Sequence, residues 1–233
     1  MKLAISQPCF MPWCGYFALI DYVDEFIFLD DVQFEKRGWH QRNYIKIKDE
    51  KRLLTVPVYS KGKFYQKIND VIINKENNYL NNHIKTIEHS YGKSKYFNLY
   101  SKDIFDIYKT NNDKLYDLNI NLIKYFCKIL EINAKFHLSS SYMKKDKNQD
   151  LILELCKQHK AQQYISTLGS KEYLKNIAEF EKNRIKVNFF EFRNFEYKQQ
   201  GKKFIEKLSF LDLIFNLGAD SIDYFRSNFY IVE

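Results

Sequence analysis

Proline and tryptophan are the scarce residues of this chain. Three prolines and two tryptophans serve 233 residues, and none of the five lies beyond Pro57. No apolar run approaches the ~20 residues needed to span a bilayer, which argues against membrane insertion. The N-terminus lacks a basic stretch, an apolar core and a small-residue cleavage site, so it does not read as a signal peptide. A cytoplasmic location is the expectation. The four cysteines form no C-x-x-C pair and have no zinc-finger spacing to histidines. Free thiols are expected, with neither a disulfide nor a metal site. Repeats, low-complexity tracts and Pro/Gly linkers are also missing.

The chain is otherwise rich. Its residues are 45% hydrophobic and 17% aromatic, well outside the disordered class. The net charge of +8 comes mostly from lysines scattered along the chain. The one tight cluster, "KKDK" at Lys144–Lys147, includes an acid. No nucleic-acid-binding motif accompanies the charge. A phosphorylated substrate or a nucleotide is the expected partner, not a nucleic acid.

The early segments read as β, α, β. "KLAIS" is a short buried strand, "YFALIDYVD" has helical spacing at Phe17, Ile20 and Val23, and "EFIFLDD" is a second strand. "NYIKIK" and "LLTVPV" flank the turn-like "DEKR" as a hairpin, and "KINDVII" offers a further strand. Helices follow in "NYLNNHIKTIEHSYG", "KDIFDIYKT" and "KLYDLNINLIKYFCKILEI". Then come the strand "KFHL", the helix "NQDLILELCKQHKA", the strands "QYIST" and "IKVNFFEFR", and a helix in "LSFLDLIFNLG". The fold class expected is α/β: an N-terminal βαβ unit in a Rossmann-like parallel sheet. It forms a single domain over 1–233, with a helical insertion around 75–133.

In an open parallel sheet, ligands bind beyond the carboxyl ends of the strands. Three loops start there: "SQPCFMPWCG", "DDVQFEKRGWHQRN" and "STLGSK". The first holds Gln7, Trp13 and two of the three prolines. The second holds Asp30, Asp31, Gln33, Arg37, Trp39, His40, Arg42 and Asn43. The third holds Gly169, Ser170 and Lys171, a glycine and amides at a helix start, which favour an anion. Bases, guanidinium clamps and stacking faces are thus concentrated together. Each also has a plainer reading. The aspartates suit turn caps, His40 a surface position, and the tryptophans a core. If the "EFIFLDD" strand is central, one aspartate should reach a backbone amide or an arginine, with Arg37 or Arg42 the expected companion, and the other should face the ligand.

These residues resemble the WbqC-like family of bacterial proteins. Its opening, Q-P-x-x-x-P-W-x-G-Y-F, stands here as "QPCFMPWCGYF". Its second block stands as "FLDDVQFEKRGWHQRN", with further matches in "LTVPV", "YIST", "GSKEYL" and "LSFLDLIFNLG". The resemblance spans essentially the whole chain. A weaker likeness to the HIGH-type nucleotidyl-transfer fold lacks that group's histidine pair. The WbqC-like resemblance implies a place in O-antigen or other surface-polysaccharide synthesis, and so work on an activated sugar, often an amino sugar. The expected function is a transferase moving an acyl or aminoacyl group onto the amine of a nucleotide-linked sugar. His40, Asp31 or Asp30 would be the catalytic base, and Gln7, Trp13, Gln33, Arg37, Trp39, Arg42, Asn43, Gly169, Ser170 and Lys171 would bind substrate. The acyl donor, a thioester or an adenylate made from ATP, is left open. Alternatives are a non-catalytic sugar-nucleotide or partner-binding protein and a glycosyltransferase. Adjacent aspartates in "LDD" point to opposite faces of a strand, unlike D-x-D.

Overall fold

The computed structural model describes residues 1–110, 112–143, 149–171, 174 and 177–232. The basic cluster at 144–147 lies outside the described residues. In chain order the elements are β1 (Lys2–Ser6), α1 (Cys14–Tyr22), β2 (Glu25–Phe28), β3 (Arg42–Ile47), β4 (Glu50–Thr55), α2 (Tyr79–Tyr91), α3 (Phe97–Lys109) and α4 (Leu115–Ile129). Then follow β5 (Lys135–Leu138), α5 (Gln149–Gln158), β6 (Gln163–Thr167), α6 (Ile177–Lys182), β7 (Lys186–Phe192), α7 (Phe210–Leu217), α8 (Ser221–Arg226) and β8 (Phe229–Val232).

The six strands of the main sheet lie in the order β5-β2-β1-β6-β7-β8. All pair in parallel except β8, which runs antiparallel to β7 at one edge. Numbered within the sheet, this is 3-2-1-4-5-6, the dinucleotide-fold order, and the α/β Rossmann-like class is realised. The strands alternate between two cores. Ala4 faces the aromatic core of Phe17, Phe126 and Phe210, while Leu3 and Ile5 face Leu155, Phe180 and Val187. Helices α1, α7 and α8 therefore cover one face, and α5 and α6 the other. The nearly all-apolar α1 is possible because it is a crossover helix buried along its length.

Between β2 and β5 the chain makes the β3–β4 hairpin and the helices α2, α3 and α4. "KINDVII" does not form the strand its composition predicts. It is a single 3-10 turn at Ile68–Asp70 flanked by isolated bridges, because Ile72 and Ile73 reach Lys114 and Val58 as single bridge partners. Two C-terminal elements carry little local signal: α8 is six residues long and β8 four. Both are held by packing, through Phe225 in the core and the β7 ladder.

Candidate functional site

Strand order reverses between β1 and β6, so the crevice of this sheet opens beyond Ser6 and Thr167. A cavity of about 670 Å³ lies there. Its walls carry Trp13, Tyr16, Trp39, Tyr44, Phe190 and Phe192. Cys9, Asn43, Lys51, Thr167, Glu191 and Lys207 also line it.

The loop Gln7–Trp13 forms the floor and is held from several directions. Asn43 Nδ2 donates to the carbonyls of Met11 (2.8 Å) and Phe10 (3.3 Å). Asn119 Nδ2, from α4, donates to the carbonyls of Pro8 (3.0 Å) and His40 (2.8 Å). The Phe10 amide donates to the Trp39 carbonyl at 2.9 Å, joining the first loop to the second. Prolines suit this loop because its carbonyls are the groups being gripped, and proline keeps its carbonyl while giving up only an N–H. Met11 is fully buried with φ of 41°, a conformation this clamping has to hold in place. Trp13 packs edge-on against Phe192 at 5.3 Å. A Cβ on Gly15 would sit 2.5 Å from the Trp13 indole, so glycine there makes room for the ring.

The residues expected from the sequence divide. The cavity brings together Trp13, Trp39, Asn43 and Gly169. Trp39 is 54% exposed and meets Tyr44 edge-on at 5.9 Å. Ser170 and Lys171 lie just past it: Ser170 Oγ donates to the Thr167 carbonyl, and Lys171 Nζ sits 5.2 Å over the Phe189 ring. Gln7 and His40 are not among the residues that line the cavity. His40 is 3% exposed, and its Nε2 is 2.6 Å from Gln7 Oε1. Burial holds its pKa below the usual value, with Glu35 pulling the other way. A neutral ring donating from Nε2 fits this contact, and Nδ1 is then the buried atom without a partner. The route to the cavity is indirect, since Tyr16 OH donates to the Gln7 carbonyl at 3.0 Å.

Asp30 stands apart from the cavity. It is 1% exposed and accepts from Ser139 Oγ at 3.0 Å, the Ser140 amide at 2.9 Å and Asn69 Nδ2 at 3.1 Å. The Ser140 amide meets the expectation of a backbone-amide partner, and no arginine is among these partners, so the expected companionship of Arg37 or Arg42 is corrected. The buried charge is met by neutral donors from the turn after β5 and from Asn69 in the Ile68–Asp70 turn, neighbours that local sequence does not reveal. Asp31 also reaches Ser139 Oγ. Gln33 lies along a separate open groove of about 790 Å³ between 33–36 and 60–66, where its Nε2 donates to the Phe64 carbonyl. Arg37 is exposed on a turn with φ of 64°, and Arg42, half-buried, begins β3 opposite Thr55.

Glu191 was missed. It stands near the end of β7, about a third exposed, with Arg193 Nε 3.3 Å from its carboxylate. The signal was present in "FFEFR", an acid interrupting an apolar strand at its carboxyl end. The four cysteines are free thiols. Burial pushes the Cys9 and Cys14 thiols up to about 12, which leaves them protonated and poor nucleophiles.

The family model described as the WbqC-like protein family matches residues 7–224. The chain belongs to the WbqC-like family. This WbqC-like chain is also 35% identical over 227 residues to a Mycobacterium tuberculosis (strain ATCC 25618 / H37Rv) protein named "Uncharacterized protein Rv1507c", covering 97% of each chain. No solved structure matches it. No helix among the described residues is long and apolar enough to cross a membrane.

Proposed function

We propose that this WbqC-like protein is a transferase that binds a nucleotide-linked amino sugar in the switch-point cavity and acylates its amine. The observation that carries the reading is the cavity itself: aromatic walls at the strand-order reversal, with lysines at its rim. The indole faces of Trp13 and Trp39 offer stacking surfaces for a base or sugar ring. Lys51 and Lys207 offer point charges for a diphosphate.

Amide formation requires the sugar ammonium to lose a proton. The amine nitrogen then attacks the acyl carbon, a C–N bond forms, and the bond from that carbon to the donor's leaving group breaks, the leaving group departing with the electron pair and taking up the proton that the nitrogen sheds. Glu191, the acid among the described residues that line the cavity, is assigned as the base. His40 and the two aspartates, expected from the sequence as bases, are better suited to positioning, because their polar atoms are directed to Gln7 and to Ser139. The raised thiol pKa of Cys9 favours direct transfer from the donor over an acyl-cysteine intermediate. The donor class, thioester or adenylate, is read from the same experiment.

The test is mass spectrometry of purified protein incubated with a panel of nucleotide-linked amino sugars and acyl donors, with and without ATP. The expected result is an acyl mass gain on one sugar, abolished in Glu191→Gln. Tight binding of a sugar nucleotide without any mass gain would replace the transferase by a non-catalytic carrier. No binding of any sugar nucleotide would overturn the reading.

A further inference from the structure

A second cluster lies on the far side of the sheet from this cavity. The registers Glu25↔Lys135 and Ile27↔His137 place Glu25 and His137 on one face of the β2–β5 pair. That face is covered by α5, whose Leu155 packs with Ile27, and His159 follows directly on that helix. Three side chains separated by up to 134 residues in sequence therefore converge. His159 Nδ1 is 2.6 Å from Glu25 Oε2, and His137 Nε2 is 3.4 Å from the same oxygen. The three donor atoms all lie within 4.8 Å of one another.

We infer that Glu25, His137 and His159 form a binding site for a divalent transition-metal ion of zinc's class. Two imidazoles and a carboxylate are a donor set that suits zinc, and the two nitrogens disfavour calcium and magnesium. A zinc ion about 2.0–2.2 Å from each donor in tetrahedral geometry sets its ligand atoms roughly 3.4 Å apart, so binding opens the His159–Glu25 pair by roughly 0.8 Å, leaves the His137–Glu25 separation as it is and draws the widest pair together. His137 Nε2 is buried without a hydrogen-bond partner, as a nitrogen kept for a metal would be. Its other nitrogen, Nδ1, is 3.1 Å from Tyr142 OH, a contact of the kind that orients a ligating ring. Tyr142 also packs edge-on against His159 at 4.8 Å. His137 is 29% exposed, so an ion and a completing water have a path in. Because Glu25 opens β2 while the cavity lies at strand ends, the ion would tie β2, β5 and α5 together and take no part in transfer. Sequence spacing could not reveal this site, since no two of its ligands are near neighbours in the chain.

The experiment uses full-length protein stripped with a chelator and titrated with Zn²⁺ against a chromophoric competitor. One equivalent is expected to bind. Glu25→Gln and His137→Gln should each weaken it at least ~10- to 100-fold. Zn²⁺ at a hundredfold excess over Kd should raise the melting temperature of the wild type by about 5–10 °C, and of neither variant. Co²⁺ should give visible ligand-field bands without a thiolate charge-transfer band. The Co²⁺ spectrum of the wild type decides the matter even if a variant fails to fold. No tight equivalent in the wild type, unchanged affinity in both variants, or a thiolate band would each overturn the site.

Discussion

Two carboxylates stand at the carboxyl ends of β2 and β7, with β1 and β6 between them in one sheet, and their surroundings could hardly differ more. Asp30, after β2, is sealed and accepts three hydrogen bonds from Ser139, Ser140 and Asn69. Glu191, near the end of β7, is about a third exposed, borders the aromatic cavity and is met by one arginine nitrogen. A carboxylate whose lone pairs are filled by its own fold stabilises that fold and has little left for a substrate. One left partly exposed at a cavity's border can accept a proton from what enters. The same contrast separates His40, pinned to Gln7, from Trp39, open to solvent.

The largest expected effect comes from breaking the sealed side. Asp30→Ala leaves the Ser140 and Asn69 amides without the carboxylate they donate to, while the Ser139 hydroxyl keeps Asp31 as an acceptor. A loss of about 4 kcal/mol is expected, a fall in melting temperature of about 8–16 °C. Urea unfolding measures it; a loss under about 1 kcal/mol would mean that water replaces the carboxylate, and the distinction between the two acids would collapse.

The sealed region continues behind the floor to His83, whose Nδ1 meets Tyr108 OH and whose ring lies 6.2 Å from that of Phe10. Burial lowers its pKa from 6.5 to about 4. The folded state resists protonation more than the unfolded chain does. Stability from this group is therefore complete above pH 6.5 and is lost as pH falls towards 4. The expected difference between wild type and His83→Gln changes by about 3 kcal/mol across that window. Parallel stability curves for the two proteins would show that His83 takes up its proton without opening the fold.

On the open side the expected effect is on function. Glu191→Gln should keep its melting temperature within about 2 °C and bind sugar nucleotide normally, while turnover falls at least ~100-fold. A variant that melts early but turns over normally would give Glu191 the role here assigned to Asp30.

How much of this could be read beforehand depends on whether the decisive partner was local. The β1–α1–β2 unit was legible, because "KLAIS", the helical spacing of Phe17 and Ile20, and the aromatic run of β2 are contiguous signals. The crowding of Trp13 and two prolines at a strand end pointed to the crevice that the strand order then located. That one of the two aspartates needs a backbone amide or an arginine was legible, but the amide that meets Asp30 belongs to Ser140, 110 residues away, and no local pattern names it. Glu191 was overlooked because the strand around it reads as core. His40 looked like a base by residue type, whereas its burial is set by Phe34 and the floor loop, which only the fold brings against it. Chemistry-bearing residue types were visible in the sequence; which of them still had an unfilled valence was not.

Trp39→Ala sharpens the contrast at lower amplitude. The ring is 54% exposed, so stability should change by no more than about 0.5 kcal/mol. If the indole stacks on the bound ring, affinity for the sugar nucleotide should weaken about 10-fold. Calorimetry separates the two quantities, and an unchanged affinity would move the ligand towards Trp13.

The smallest expected effect is at Gly169, on the turn after β6 that borders the cavity mouth. A Cβ built there meets nothing within 4 Å, and its φ is not in the left-handed range, so alanine is compatible with the backbone. Gly218 is the opposite case: φ is 62° and a Cβ would lie 2.8 Å from the Tyr96 ring. Gly169→Ala should therefore leave stability within about 0.5 kcal/mol of wild type. Gly218→Ala should cost more than the ~1 kcal/mol ordinary for alanine at positive φ, because the ring must also move. If the turn edges the ligand's path, enlarging the side chain in steps at 169 should erode affinity without touching stability. Alanine should weaken sugar-nucleotide binding less than about 3-fold and leucine more than about 10-fold. Equal binding by glycine, alanine and leucine would show that the ligand enters from the Trp39 side and leaves this turn untouched.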